Sequence, residues 1–260
     1  MIAWWSLAWV WLAGVVGMLA VWLYAQQRRN AGYVDVAWAA HMTFMGAFVA
    51  AMGHGAALPR ILLAAMLVTW GLRLTLHLFG RVHGRPEDGR YAHLRMLWKG
   101  RDLRFLPLFE AQAIVVTAFA VPIAVAASNP VAHVTPWTIA AIAVWVLAVA
   151  GESLADRQLA AWVADPANRG KTCRRGLWAS SRHPNYFFEW LHWFAYALLA
   201  AGAPMAWLAL LGPLLMFVFL YRITGIPWTE AQSLRSRGDD YLAYQREVSA
   251  FFPWPPRRST

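Results

Sequence analysis

The sequence predicts an all-α fold, a polytopic membrane bundle of seven transmembrane helices, and three observations carry that prediction. Of the 260 residues, 60% are hydrophobic, only 14% are charged and 17 are tryptophan, outside the usual range of soluble proteins. Seven stretches are long enough, or nearly so, to cross about 30 Å of hydrocarbon as a helix. Basic residues cluster in alternate loops, as they do when a chain threads a membrane back and forth.

The spans fall near Ile2–Tyr24, Val34–Met52, Ile61–Phe79, Ala111–Ala127, Thr138–Ala161, Tyr186–Ala201 and Met205–Tyr221. Only Gly202-Ala203-Pro204, a tight turn, separates the last two. Pro122 inside the fourth removes a helix hydrogen bond and predicts a kink. Arg28 and Arg29 follow the first span, and Arg81, Arg85, Arg90, Arg95, Lys99, Arg101 and Arg104 follow the third. Arg169, Lys171, Arg174, Arg175 and Arg182 follow the fifth, and the bases from Arg222 to Arg258 follow the seventh. The other loops contain only Arg60. The positive-inside rule then places the N-terminus outside and the C-terminus in the cytoplasm, as an odd number of spans requires. No basic segment leads the first apolar run, so it is expected to be a retained helix and not a cleaved signal. The expected organisation is one membrane-embedded domain over residues 1–260, multi-pass in a bacterial inner membrane. Its polar segments, about 80–108, 162–183 and 222–260, share the cytosolic face.

Composition also excludes function classes. The net charge of +10 resides in loops between apolar spans, so anionic lipid headgroups or a phosphate-bearing ligand are better partners than nucleic acid. The single cysteine, Cys173, rules out an intramolecular disulfide framework and a multi-cysteine metal site. There is no Gly-x-Gly-x-x-Gly turn, no Walker loop, no Gly-x-Ser-x-Gly elbow and no His-Glu-x-x-His, and His183 and His192 lack the spacing of a zinc pair. Neither a Rossmann-type site nor metal catalysis is expected.

The chemistry-bearing residues gather near the basic loops. Ser181-Arg182-His183-Pro184-Asn185-Tyr186, with Glu189 beyond it, stands at the mouth of an apolar segment, where unpaired polar groups cost several kcal/mol each. A snorkelling interface belt is the bland alternative. Asp35 lies at or one turn inside the same end of the second span. Desolvation there favours a protonated acid able to donate to a ketone oxygen. A helix-start carboxylate facing the helix dipole is the alternative. Gly84-Arg85-Pro86-Glu87-Asp88-Gly89-Arg90-Tyr91 offers planar guanidinium forks for phosphate, or is simply a solvated charged loop. Glu152 and Asp156 stack on one helix face, suited to hydroxyl donors or to an internal ion pair. The tail, with Glu230, Asp239-Asp240-Tyr241 and a proline-rich end, is too polar to span and reads as a helix lying on the membrane surface followed by an extended segment.

Together these elements resemble the bacterial branch of the steroid 5-alpha-reductase family. The resemblance rests on Val34-Asp35-x-x-Trp38, Glu87-Asp88-x-Arg90-Tyr91, Ser181-Arg182-His183-Pro184-Asn185-Tyr186-x-x-Glu189-Trp190 and Tyr244-Gln245-x-x-x-Ser249-Ala250-Phe251-x-Pro253, and spans about Asn30 to Arg257. It implies a seven-helix enzyme that takes NADPH from the cytosol and reduces the C4–C5 double bond of a 3-oxo-Δ4 steroid or similar apolar enone arriving from the bilayer; a monomer is expected. By resemblance Asp35 stands where the family has a ketone-binding glutamate. Trp70 or a near neighbour stands where it has a tyrosine, leaving Tyr33 or Tyr91 to supply a phenol. Asn185, Tyr186 and Glu189 match the family's cofactor element and Asp156 its helix-end aspartate. Arg85, assisted by Arg174 or Arg175, corresponds to a phosphate-gripping arginine. Arg90, Arg182, His183, Glu230 and Tyr241 are assigned to the same cofactor side. Two other readings stay open: an S-adenosylmethionine-dependent membrane methyltransferase, which shares the Arg-His-Pro element, and a non-catalytic lipid transporter.

Overall fold

The computed structural model describes residues 2–257, and among them there are helices and turns but no strand. Ten α-helices follow one another: α1 Trp5–Arg28, α2 Tyr33–Met52, α3 Ala57–Val82, α4 Gly89–Leu97, α5 Leu106–Ala126, α6 Pro136–Ala164, α7 Pro184–Leu199, α8 Leu211–Val218, α9 Ile226–Arg237 and α10 Asp239–Glu247. A π-turn at Phe219–Ile223 follows α8.

Among the described residues, six helical stretches are long and apolar enough to cross a membrane: α1, α2, α3, Asp102–Ala126, α6 and Ala206–Arg237. The expected sixth span falls short. α7 has 16 residues, about 24 Å at the helical rise, against about 30 Å of hydrocarbon. Pro184 sets its start and the Gly202 turn, at φ +98, follows its end. Pro122 lies within α5, which continues one turn further to Ala126.

Hydropathy treats the chain as one bundle, but its contacts fall into two compact units: Met1–Ile139 with Tyr196–Gly212, and Ala140–Ala195 with Pro213–Thr260.

In the first unit α2 packs along α3, and α1 along both α5 and α2. Small residues set the close approaches. A Cβ on Gly14 of α1 would meet the His41 ring and stand 2.9 Å from the Ala113 Cβ, and one on Gly46 of α2 would stand 2.7 Å from Leu67. At one end, buried Asn129 donates to Leu199 O (2.7 Å) and Ala201 O (3.0 Å), while Gly55 and Ala56 donate to Ala127 O and Asn129 O. Arg60 caps the last carbonyls of α2, donating to Ala50 O at 2.8 Å. That explains a base in an otherwise uncharged loop. At the other end of α2 a turn, Arg29–Gly32, leads from α1, and Arg29 closes α1 in the left-handed conformation (φ 48).

In the second unit the C-terminal tail is pinned down. Arg182 N donates to Ser249 O (2.8 Å), Trp254 N to Ser180 O (2.9 Å) and Ser181 Oγ to Phe251 O (2.8 Å). Phe251 is buried among the rings of Phe187, Trp190, Phe217 and Tyr221. The proline-rich end is extended, as its composition predicts, but it is a strap and not a loose tail.

Candidate functional site

The first unit builds its polar cluster from the turn before α2 and from α4. Asn30 accepts from Gly32 N (3.0 Å) and donates to Val82 O (3.4 Å) and Arg85 O (3.3 Å), so the start of α2 is tied to the end of α3. Glu87 accepts from Ala31 N at 2.7 Å and takes Arg95 in a fork, at 2.9 and 2.8 Å. The remaining Arg95 nitrogen reaches Asp102. The segment for which sequence offered phosphate-binding forks or a solvated charged loop is, at Glu87, a latch with that carboxylate well covered.

Asp88 caps α4, accepting from Arg90 N at 2.9 Å, and the same oxygen takes Arg90 Nε at 2.9 Å. Burial alone would raise the Asp88 carboxyl; the Arg90 charge and hydrogen bonds outweigh it and hold it below its ordinary value. Arg90 then passes Nη2 to Asp35 Oδ2 at 3.2 Å, and the hydroxyl of buried Tyr91 donates to Asp35 Oδ1 at 2.7 Å. Burial, then the Asp35 charge, raises the Tyr91 phenol well above its ordinary value, so it keeps its proton. Asp35 is thus not the lone carboxylate anticipated from sequence: each oxygen has a donor from α4, and its side chain is still 34% exposed.

The other candidates of this unit lie apart from Asp35. The Tyr33 hydroxyl pairs with His83 Nδ1 at 3.0 Å. Arg85 is exposed. Trp70 is fully buried on α3, edge-on to Trp38.

The second unit gathers Arg182, His183 and Glu230 with Gln245, which sequence had placed in the same resemblance but given no role. Glu230 Oε1 accepts from Arg182 Nε at 2.6 Å and lies 3.2 Å from His183 Nε2; its other oxygen accepts from Gln245 at 2.7 Å. Arg182 also donates to Gln245 O (3.0 Å) and Val248 O (2.7 Å). Burial pushes the His183 imidazole down, against the opposing pull of Glu230. The ring stacks on Tyr186, whose hydroxyl meets Thr229 at 3.1 Å. This network holds the 181–183 segment to α9 and α10.

The remaining cofactor candidates are distributed. Asn185 donates to Asp156 at 3.4 Å, and both are half-buried. Glu189, one turn along α7, is buried and 3.8 Å from His192 Nδ1. Arg174 pairs with Glu247 (2.8 Å) and Asp240 (3.5 Å), whereas exposed Arg175 lies over the Trp162 ring. Tyr241 is buried beneath Arg237, its phenol raised by burial. Among the described residues no three His, Cys, Asp or Glu side chains gather as a metal site.

Fold and hydropathy define an all-helical, multi-pass membrane protein. Within that class the chain belongs to the family described as a protein of unknown function, DUF1295, whose pattern matches residues 21–248 and so includes every candidate above. It is also similar to an uncharacterized protein of Schizosaccharomyces pombe, 26% identical over 289 aligned residues, with 92% of this chain and 79% of the relative covered. No solved structure matches.

Proposed function

We propose that this protein reduces an activated carbon–carbon double bond of an apolar enone, of the 3-oxo-Δ4 steroid kind, with NADPH as reductant. The observation that carries this reading is the Tyr91 hydroxyl 2.7 Å from Asp35, an acid pair at one end of the second span. The steroid 5-alpha-reductase resemblance calls for a carboxyl group and a phenol at the ketone oxygen. Trp70 has no phenol to offer from α3, and Tyr91 supplies one from α4. Of the two tyrosines considered, only Tyr91 touches Asp35; Tyr33 turns to His83.

The pair can hold a proton at a ketone oxygen. When it carries one proton beyond the state described above, Asp35 donates to the phenolic oxygen and Tyr91 turns its hydrogen outward. Negative charge developing on the ketone oxygen then meets a preorganised donor; as Tyr91 gives its proton to that oxygen and takes the one on Asp35, Asp35 becomes a carboxylate that Arg90 balances. Bound NADPH would supply the hydride to the beta carbon. A proton from water completes the alpha carbon while the ketone oxygen returns its proton to the pair, so enone, NADPH and one proton would give the saturated ketone and NADP+.

The residues present fit the cofactor in part. Within the second unit, half-exposed Asn185 and Asp156 suit ribose hydroxyls or an amide, and Arg174 and Arg175 keep guanidinium surface for phosphates. Arg182, His183 and Glu230 are occupied with one another and serve the fold. The bases after α1, α3 and α6 support a cytosolic location for those segments and an N-terminus outside; residence in a bacterial inner membrane, with the apolar substrate arriving through lipid, belongs to the same proposal.

Purified protein in lipid nanodiscs with NADPH and testosterone, progesterone or a panel of apolar enones tests the reading. Saturated ketone is expected, with one NADPH oxidised per product. Tight S-adenosylmethionine binding without NADPH binding would overturn it in favour of the methyltransferase.

A further inference from the structure

The inward side of α4 carries Arg90, Tyr91 and Arg95, and its outward side is unlike that of a water-facing helix. Met96 and Leu97 are 67% and 58% exposed, and Leu103, in the 3-10 turn after it, is 68% exposed. Lys99, Arg101 and Arg104 are exposed among them. The acid of this stretch, Asp102, is ion-paired with Arg95, so the surface is cationic around an apolar centre. Met96, Leu97, Lys99 and Arg101 lie within a few residues of Asp102–Ala126, one of the stretches able to cross a membrane, and Leu103 and Arg104 lie at its start. A stretch leading directly into a span stays close to the bilayer surface, where apolar side chains reach the acyl boundary and bases meet headgroup phosphates.

We propose that Met96, Leu97 and Leu103, framed by Lys99, Arg101 and Arg104, form a seat on an anionic lipid surface. Continuity with the span favours lipid over an acidic soluble protein. The same short helix presents Tyr91 to Asp35, so the seat fixes the outer side of the element that completes the acid pair. The proposal does not depend on the reductase reading, and its test involves no turnover.

The full chain with Cys173→Ser removes the one native thiol, and Met96→Cys on that background carries an environment-sensitive dye. The protein is reconstituted into vesicles of phosphatidylcholine alone or mixed with phosphatidylglycerol, with or without brominated acyl chains. In the anionic vesicles blue-shifted emission and several-fold stronger quenching by the brominated lipid are expected. Lys99→Ala with Arg101→Ala and Arg104→Ala, or high salt, should return both signals to the phosphatidylcholine level. Leu97→Cys gives a second label position should Met96→Cys fold poorly. Water-like emission in every vesicle, or quenching indifferent to headgroup charge, would overturn the proposal. So would a dye shielded in native membranes but not in vesicles of the pure protein, which would indicate a protein partner.

Discussion

The two polar clusters differ in how much of their chemistry the fold itself occupies. In the second unit, Arg182, His183, Glu230 and Gln245 face one another and nearby carbonyls. Side-chain exposure is 12% for Arg182, 14% for Glu230 and 3% for His183. In the first unit, Arg90 and Asp35 keep 22% and 34% exposure, and the Tyr91 phenol meets a carboxylate with an open side. Both clusters look costly in an apolar chain. The closed one acts as a staple between 181–183 and the last two helices. The open one can still receive a ligand.

Substitutions separate a staple from a site. Tyr91→Phe is expected to lower kcat for enone reduction about 100- to 1,000-fold, the usual cost of losing one oxyanion donor, with folding little changed; steady-state NADPH oxidation reads it. Glu230→Gln should cost about 3 kcal/mol of stability, because it leaves Arg182 and His183 without their anion; thermal or denaturant unfolding in detergent reads that. The contrast breaks if Glu230→Gln keeps its stability and loses NADPH affinity instead.

The third effect is pH dependence. His183 has its folded pKa below the ordinary 6.5, so on acidification the unfolded chain takes up the proton first. Its stabilisation is complete above about pH 6.5 and is lost as pH falls through that value toward the folded pKa. Unfolding followed from pH 7.5 down to about 5.5 should show this acid limb, and His183→Asn should flatten it. Asp88→Ala is the smallest change, about 1 kcal/mol for a lost helix cap. It sharpens the comparison if kcat falls too, because Arg90 then loses the carboxylate that directs it to Asp35.

Much of this architecture was legible in the sequence. Long apolar runs marked α1, α2, α3, α5 and α6 to within a few residues, because nothing competes with hydrophobic periodicity there. α7 has the 16 residues expected of it, between Pro184 and the Gly202 turn, and is shorter than a full span. Asp35 and Tyr91 were each singled out, but the bond between them spans 56 positions, and no local pattern records it. α4 was not anticipated; Asp88 ahead of Gly89-Arg90-Tyr91, a capping aspartate before a helix start, is the local signal that could have found it. The Glu230 staple had no such sign. Its partners lie 47 and 48 residues upstream and 15 downstream, and only the folded chain brings them together.

The central claim is that Asp35 and Tyr91 work as one acid pair, and a double-mutant cycle on kcat tests it most directly. Asp35→Asn, Tyr91→Phe and the double variant are compared with the parent protein under saturating NADPH and enone. Groups acting as a unit give a double variant no worse than the poorer single one. Losses that multiply in the double variant would show two independent groups and contradict the account.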